Sequence, residues 1–184
     1  PIEPCYVYHP LNAYDEADRI ILDVVRHDRT FVQGNLQNSG GPPTLERWYI
    51  DPRNEHLTRE VLSDRPQEFP RVDPRVECHP HRYGYTVEFE LESGPGSLLK
   101  HDLQTGRVLR HDVGPAGAAS EGVFVPGGPG EDEGYVLSVV YDADSDTSAL
   151  RVIAAQDFAG PPVATVELPV RVPFGFHGNW VPSR

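Results

Sequence analysis

Apolar and polar residues alternate in short runs along this chain, and helical periodicity is hard to find. Three runs rich in Val, Ile, Tyr and Phe are typical of strands: RIILDVVRHD at 19–28, RYGYTVEFEL at 82–91 and GYVLSVVYDA at 134–143. The 19 prolines and 17 glycines are spread between apolar runs as turn signals and are not collected in one linker. The pattern therefore predicts an all-β protein of many short strands joined by tight turns.

A second unit follows each of these strands, and it consists of a strand, a turn that contains an aspartate, and another strand. The turn aspartates are Asp51, Asp102 and Asp157, spaced 51 and 55 residues apart. Self-similarity at about 50 residues, with several short strands per period, indicates a β-propeller in which each period forms one blade. A β-sandwich with three similar hairpins is the alternative.

Each period opens with one residue that could take part in a metal site. These residues are His9, Glu68, Glu121 and His177, at spacings of 59, 53 and 56. If the opening strand of each blade lines the central axis, radial repetition brings the four side chains to one point. The alternative is that the histidines are hydrogen-bonded strand residues and that the glutamates share this phase by chance.

The number of periods is too small for a closed ring. A propeller needs about four to eight blades, and this chain has three periods followed by one closing segment. We therefore expect blades at 5–67, 68–120 and 121–176 and a closing strand at 177–184, all belonging to a larger propeller. The chain contains no Met, which also favours a processed product or a piece of a longer protein.

Charge and composition limit the possible partners. The net charge of −12 disfavours nucleic acid, because phosphate binding requires a basic surface. No apolar run of about 18 residues is present, so no transmembrane helix is expected.

We expect a cytoplasmic protein whose two cysteines, Cys5 and Cys78, stay reduced, because they fit no metal or redox spacing. Nothing in the sequence indicates membrane docking or an oligomeric state.

Five segments, in order and over nearly all of the chain, resemble those of the carotenoid cleavage oxygenases. That family includes stilbene-cleaving dioxygenases and the retinoid isomerohydrolase. YHPLNAYDE resembles its His-x-x-Asn-Ala-Tyr-Glu segment, and QEFPRVDPR its Glu-Phe-Pro segment. A Tyr-rich stretch of the family resembles RYGY, and a pair of its strands resembles SEGVFVP with EDEGYVLSVVYD. Its C-terminal His-Gly box resembles VPFGFHGNW.

The resemblance implies a seven-bladed β-propeller with Fe(II) on its axis, held by four histidines and supported by three glutamates. His9 and His177 match two of the ligand histidines. Glu68 and Glu121 match two of the glutamates, which by analogy pair with His9 and His177 respectively. The other two histidines and the third glutamate belong to the family's N-terminal half, which this chain does not contain. Direct ligation of iron by the two glutamates is a less favoured alternative.

The resemblance also implies a reaction. O2 adds across one double bond of a lipophilic conjugated substrate, a carotenoid, an apocarotenoid or a stilbene, and cleavage gives two carbonyl products. Phe174, Phe176 and Trp180 could wall the substrate tunnel, or they could pack the last strand against neighbouring blades. The alternatives are an iron-dependent isomerase of the same family and a propeller fragment that scaffolds a partner. We expect the 184-residue piece to be inactive alone.

No function is predicted for the remaining histidines. We expect His27 and His56 to be solvated, at a strand end and in a turn. His101 and His111, on the two arms of one hairpin, are expected to face each other or water. CHPHR at 78–82 has the residues of a metal site but is expected to be a connection between blades.

Overall fold

The computed structural model describes residues 2–29, 41–90 and 94–182. These residues form thirteen strands and two short 3₁₀ helices, Pro74–Val76 and Ala155–Asp157. No helix in these ranges is long and apolar enough to cross a bilayer. The strands are β1 Tyr6–Glu16, β2 Arg19–His27, β3 Thr44–Asp51, β4 His56–Ser63, β5 Gln67–Arg71, β6 Tyr83–Glu90, β7 Gly94–Asp102, β8 Arg107–His111, β9 Gly117–Ala119, β10 Val123–Pro126, β11 Gly134–Asp142, β12 Thr147–Ala154 and β13 Ala164–Glu167.

The strands form three antiparallel sheets, each built from consecutive strands of the chain. Their orders are β1-β2-β3-β4, β5-β6-β7-β8 and β10-β11-β12-β13, with β9 paired to the far end of β11. We call β1, β5 and the β9–β10 pair the inner strands, because each opens its sheet. The three sequence periods thus correspond to three propeller blades, which confirms the predicted all-β propeller class. The blades formed by the described residues do not close into a ring.

The turn aspartates lie where the repeat predicted, between the third and fourth strands of each blade. Asp51 Oδ1 accepts the backbone N–H of Asn54 at 3.1 Å, and Asp102 Oδ1 accepts that of Gln104 at 3.2 Å. Aspartate stabilises such turns by replacing a backbone acceptor with its own carboxylate. The third turn, which contains Asp157, is longer and includes the second 3₁₀ helix.

The core lies between neighbouring blades, where alternate residues of facing strands interdigitate. The larger cluster joins the second and third blades, and the smaller one joins the first blade to the connection that follows β5. The larger cluster contains Tyr85, Val87, Leu98, Phe124, Val136, Ile153 and Phe158, and the smaller Leu11, Val25, Leu45 and Val72.

His101 and His111 do not face each other or water, so that expectation was wrong. Each side chain is 2% exposed, and strand pairing sets the two residues three positions apart along β7. His101 Nε2 lies 3.0 Å from Thr86 Oγ1, and His111 Nδ1 lies 3.2 Å from the carbonyl oxygen of Phe158. Both imidazoles therefore satisfy their polar atoms inside the blade packing, which the hairpin sequence alone does not reveal.

The residues of CHPHR do not converge. Cys78 is a free, exposed cysteine, and Cys5 is also free. His79 is exposed, with Nδ1 2.8 Å from the carbonyl oxygen of Glu77. The side chain of His81 is buried, and its Nε2 lies 3.3 Å from Asp23 Oδ2. The segment connects two strands of the second blade and presents no joint donor set.

Residues 168–182 contain no strand, although the sequence predicted a closing strand at 177–184, of which 183–184 lie outside the described residues. A strand requires a hydrogen-bonding neighbour. Among the described strands, β13 pairs with β12, and none pairs with the closing segment. The blade boundaries and the closing strand stay predictions for a complete ring.

Candidate metal centre

Every inner strand is irregular at its candidate site residue. The pairing register of β1 shifts around His9, and that of β5 shifts directly after Glu68. Phe69, which follows, has a φ of +54°. Glu121 lies in the gap between β9 and β10. A bulge or break re-aims a side chain that would otherwise stand perpendicular to the sheet, so the three blades use one device to turn a polar residue towards the axis.

The four residues predicted from the repeat lie together. His9 Nδ1 is 2.7 Å from Glu68 Oε2, and His177 Nδ1 is 3.2 Å from Glu121 Oε2. The Nε2 atoms of the two histidines are 3.2 Å apart, with ring planes at 77°. The structure thus forms two histidine–glutamate pairs whose free nitrogens converge. Their role as a metal site stays a prediction.

The carboxylate of Glu68 is buried and fully engaged. Oε1 lies 2.7 Å from His27 Nε2, and Oε2 accepts the backbone N–H of Phe69 at 2.7 Å in addition to the contact with His9. Burial by itself raises the pKa of Glu68, but the hydrogen bonds from His27, His9 and Phe69 outweigh burial and lower the pKa below its ordinary value. Glu68 is therefore an ionised acceptor at neutral pH.

Glu121 is held by different partners. Its carboxylate is 3% exposed, and Oε1 accepts the backbone N–H of Gly178 at 2.5 Å. Arg71 Nη1 lies 3.4 and 3.5 Å from the two carboxylate oxygens. The residue after His177 thus anchors the same carboxylate that the imidazole contacts, which ties the closing segment to the third blade.

His27 was expected to be solvated, and the structure shows that this was wrong. The residue is 4% exposed and lies at the end of β2, against the inner strand β5. Ile21, Asp23, Val25 and His27 occupy alternate positions of β2, and all four are buried. The period of two along a strand places them on one face. Because Ile20, Leu22 and Val24 on the other face are all apolar, alternation in the sequence alone did not identify His27 as inward-facing.

The two histidines fit a metal ion. Because each Nδ1 faces a carboxylate, which only accepts hydrogen bonds, each neutral imidazole carries its proton on Nδ1 and a lone pair on Nε2. Two lone pairs 3.2 Å apart repel each other unless a cation or a shared proton lies between them. Two imidazoles bound to one metal at right angles, each at about 2.1 Å, place their nitrogens about 3 Å apart.

The donor set is incomplete within the described ranges. No group of three or more His, Cys, Asp or Glu side chains there is arranged to hold a metal ion. The side chains of His9 and His177 are 24% and 52% exposed, on the open side of the three blades. The described residues therefore supply two converging donors and the carboxylates behind them.

An apolar cavity of about 540 Å³ opens beside His177 and Glu121. Phe174, Phe176 and Trp180 line it and are 63%, 76% and 48% exposed. Phe174 packs edge-on against Tyr141 of β11, with ring centroids 5.6 Å apart. The wall of a substrate tunnel and packing against neighbouring blades both stay predictions for these three aromatic residues. The cavity is also lined by Phe69, Phe89, Val123, Leu137, Val139 and Leu150.

Three blades whose inner strands place His9, Glu68 and Glu121 next to His177 of the C-terminal segment define a propeller protein with a cluster of two histidine–glutamate pairs. The family model for retinal pigment epithelial membrane protein, RPE65, matches residues 1–182. The chain belongs to this family, which the carotenoid cleavage oxygenases share, and it corresponds to the family's C-terminal portion.

Individual relatives agree with this assignment. The chain is 40% identical over 99% of its length to a carotenoid cleavage oxygenase of Mycobacterium tuberculosis. It is 34% identical over 98% of its length to apocarotenoid-15,15'-oxygenase of Synechocystis. The crystal structure of cobalt-substituted Synechocystis ACO superposes on the whole chain with a TM-score of 0.89 at 32% identity. The chain spans 39% of the length of both curated relatives and 41% of the solved chain.

Proposed function

We propose that this chain is part of a non-haem Fe(II) dioxygenase that cleaves a conjugated C=C bond of a lipophilic substrate with O2. The substrate is a carotenoid, an apocarotenoid or a stilbene, and the products are two carbonyl compounds. The observation that carries the proposal is the convergence of His9 Nε2 and His177 Nε2 at 3.2 Å, each imidazole being backed by a buried glutamate. Membership of the family and the names of the relatives support the reaction class.

His9 and His177 would hold the iron, together with two further histidines from the N-terminal half that the family resemblance implies. Imidazole suits divalent first-row metals, and a solved relative is a cobalt-substituted protein. When bound, the iron would supply the binding and activation of O2. His9 and His177 would contribute neutral donors only. The positive charge of the metal would therefore be balanced by groups that do not bind it directly.

Glu68 and Glu121 would supply that balance without occupying coordination positions. Each accepts the Nδ1–H of one imidazole, which fixes the tautomer, orients the ring and raises the basicity of Nε2. Backbone N–H groups hold both carboxylates in place: that of Phe69 for Glu68 and that of Gly178 for Glu121. The orientation of each imidazole would thus be set by a carboxylate that backbone hydrogen bonds hold in place.

The cavity beside His177 would receive the substrate. A lining of aromatic and aliphatic side chains suits a flat conjugated chain and excludes water from the reacting bond. Phe174, Phe176 and Trp180 would wall the tunnel next to the histidine. The partners of this site would be a lipophilic small molecule and O2.

The complete enzyme provides the test. Incubation with a carotenoid, an apocarotenoid and a stilbene, followed by mass spectrometry of the aldehydes, should identify a cleaved substrate. His9→Ala and His177→Ala should each abolish that cleavage and leave iron substoichiometric by elemental analysis. His56→Ala, at the exposed start of β4, is the matched control and should retain both. Cleavage retained in either axial variant would overturn the ligand assignment.

Two other outcomes would reassign the function. A rearranged product formed without consumption of O2 would make the protein an isomerase of the same family. Absence of two further histidines at the axis of the complete protein would leave a scaffold that binds partners and has no oxygenase activity.

A further inference from the structure

Two histidines share the carboxylate of Glu68. His9 Nδ1 lies 2.7 Å from Oε2, and His27 Nε2 lies 2.7 Å from Oε1. Glu68 is 5% exposed and His27 4% exposed, so bulk solvent does not reach this contact while His27 is in place. His9 faces the axis, whereas His27 approaches the carboxylate from the opposite side, at the end of β2.

The second pair, Glu121 and His177, has no second histidine within reach in the described part of the chain. There the oxygen that does not face the imidazole accepts the Gly178 N–H, and Arg71 lies beside both oxygens. Both carboxylates therefore have donors on each oxygen. For Glu68 the donor on the far oxygen is the His27 side chain, which a substitution can remove.

We propose that His27 is a positioning residue for the metal centre, acting through Glu68 on His9. This inference rests on the proposed function. His27 Nε2 lies 2.7 Å from Oε1, where it donates its N–H, and this contact opposes rotation of the Glu68 side chain. Oε2 then stays in place to accept the His9 Nδ1–H, which leaves His9 Nε2 with its lone pair aimed at the axis.

Loss of the His27 donor has a definite consequence. Among the described residues, His27 is the one side-chain partner of Glu68 Oε1, so its loss would leave this oxygen buried and unsatisfied, which drives rearrangement. The carboxylate would turn or admit water, and the hydrogen bond to His9 would no longer select one tautomer. Outer hydrogen bonds of this kind typically change metal affinity by about 10- to 100-fold.

The experiment compares His27→Leu with His27→Gln in the complete protein stripped of metal. Leucine fills the space without a donor, whereas the glutamine amide places an N–H near the position of Nε2. Titration with Co²⁺, monitored by the visible absorption of the bound ion, measures the affinity for this metal. Relative to wild type, the affinity for Co²⁺ should be about 10- to 100-fold lower in His27→Leu and nearly unchanged in His27→Gln. His101→Leu, which removes an equally buried histidine away from the axis, should keep full affinity.

A second readout needs no metal. In protein labelled with ¹⁵N-histidine, His9 should be the Nδ1–H tautomer in wild type and His27→Gln, and a mixture in His27→Leu. If the wild type fails to bind Co²⁺ or Fe²⁺, the proposed function fails, while the tautomer of His9 still decides the role of His27. Equal losses of affinity in His27→Leu and His101→Leu, or an unchanged His9 tautomer, would overturn the inference.

Discussion

At the scale of single residues, the two axial glutamates carry the same charge but are held in different ways. Glu68 is fixed by side chains and one backbone N–H, and Glu121 by backbone and an arginine. In both, one oxygen meets the imidazole that faces the axis. Because each oxygen already accepts a donor, an amide in place of either carboxylate must bring its NH₂ group against an N–H.

Glu68→Gln and Glu121→Gln should therefore weaken metal retention in the complete enzyme by about 10- to 100-fold, with little change in fold. Competition with a chelator, followed by elemental analysis, measures the effect. Glu60→Gln, at an exposed carboxylate on β4, is the matched control. Unchanged retention in both axial variants would show that the carboxylates do not support the metal.

His101 gives a prediction about pH. Burial, with a smaller contribution from Arg65, lowers the pKa of His101 to about 4 from its ordinary 6.5. Below pH 6.5 the unfolded chain takes up a proton that the folded chain refuses until about pH 4. Stability present above pH 6.5 is therefore lost as the pH falls through this window, by about 3 kcal/mol in total.

Denaturant unfolding at pH 7, 5.5 and 4 measures this loss. In His101→Gln the free energy of unfolding should fall less steeply between pH 6.5 and 4 than in wild type, because the titrating group is absent. Carboxylates that titrate in the same range affect both proteins and cancel in the comparison. Parallel pH profiles would contradict the assignment of a neutral, buried imidazole.

At the scale of strands, the bulged inner strand is the element that builds the site. Glu121 projects from the gap between β9 and β10, and Gly122 follows it. A Cβ on Gly122 would lie 2.9 Å from Val136 Cγ1 and 3.4 Å from Leu98 Cδ2, both in the core between the second and third blades. Glycine there lets the chain turn against the core while the glutamate reaches the axis.

Gly122→Ala should thus destabilise the protein by about 1–3 kcal/mol, because the branched Val136 side chain has little freedom to move away. The melting temperature and the metal affinity should fall together, since the clash displaces the strand that carries Glu121. Gly175→Ala is the stability control, because its Cβ would meet nothing within 4 Å. Equal melting temperatures for the two variants would show that the contact at Gly122 is tolerated.

The second strand of each blade was predictable from sequence, because alternation and turn residues act locally. The runs at 19–28, 82–91 and 134–143 correspond to β2, β6 and β11 with ends within two residues. The axial residues followed from their spacing, since one side chain per blade must recur at the blade period.

Interactions between sheets were harder to predict. The contact of His27 with Glu68 joins residues 41 positions apart in different blades, and no local pattern encodes that distance. Burial of His101 and His111 likewise depends on which blade packs against their hairpin. The closing strand was expected from the period, but strand formation depends on a neighbour that no described strand supplies.

At the scale of the whole molecule, three blades enclose only part of the central axis and leave the rest of it exposed. Near the end of the chain, four apolar side chains are 48% to 79% exposed: Phe174, Phe176, Trp180 and Val181. Together they form a large exposed apolar surface. The edge strands β4, β8 and β13 also lack a further partner among the described strands. A complete ring would place a neighbouring blade beside the first and third blades and cover the apolar surface at the end of the chain.

The 184-residue chain purified alone should therefore bind iron weakly and aggregate. Two imidazoles are too few to retain Fe(II), and open sheet edges pair with other copies. Elemental analysis should find iron well below one equivalent, and light scattering should show growth in particle size with concentration. Stoichiometric iron in a monodisperse sample would contradict this.

The irregular inner strands have a consequence for how this chain can change in length. Where a side chain reaches the axis only because its strand is bulged or broken there, adding or deleting one residue reverses which face the next side chains occupy. Insertions and deletions near His9, Glu68 or Glu121 would thus point the site residue into the packing between blades and away from the axis. The aspartate turns at the outer side of the blades carry no such constraint. Insertions and deletions should therefore be tolerated in these turns but not in the inner strands.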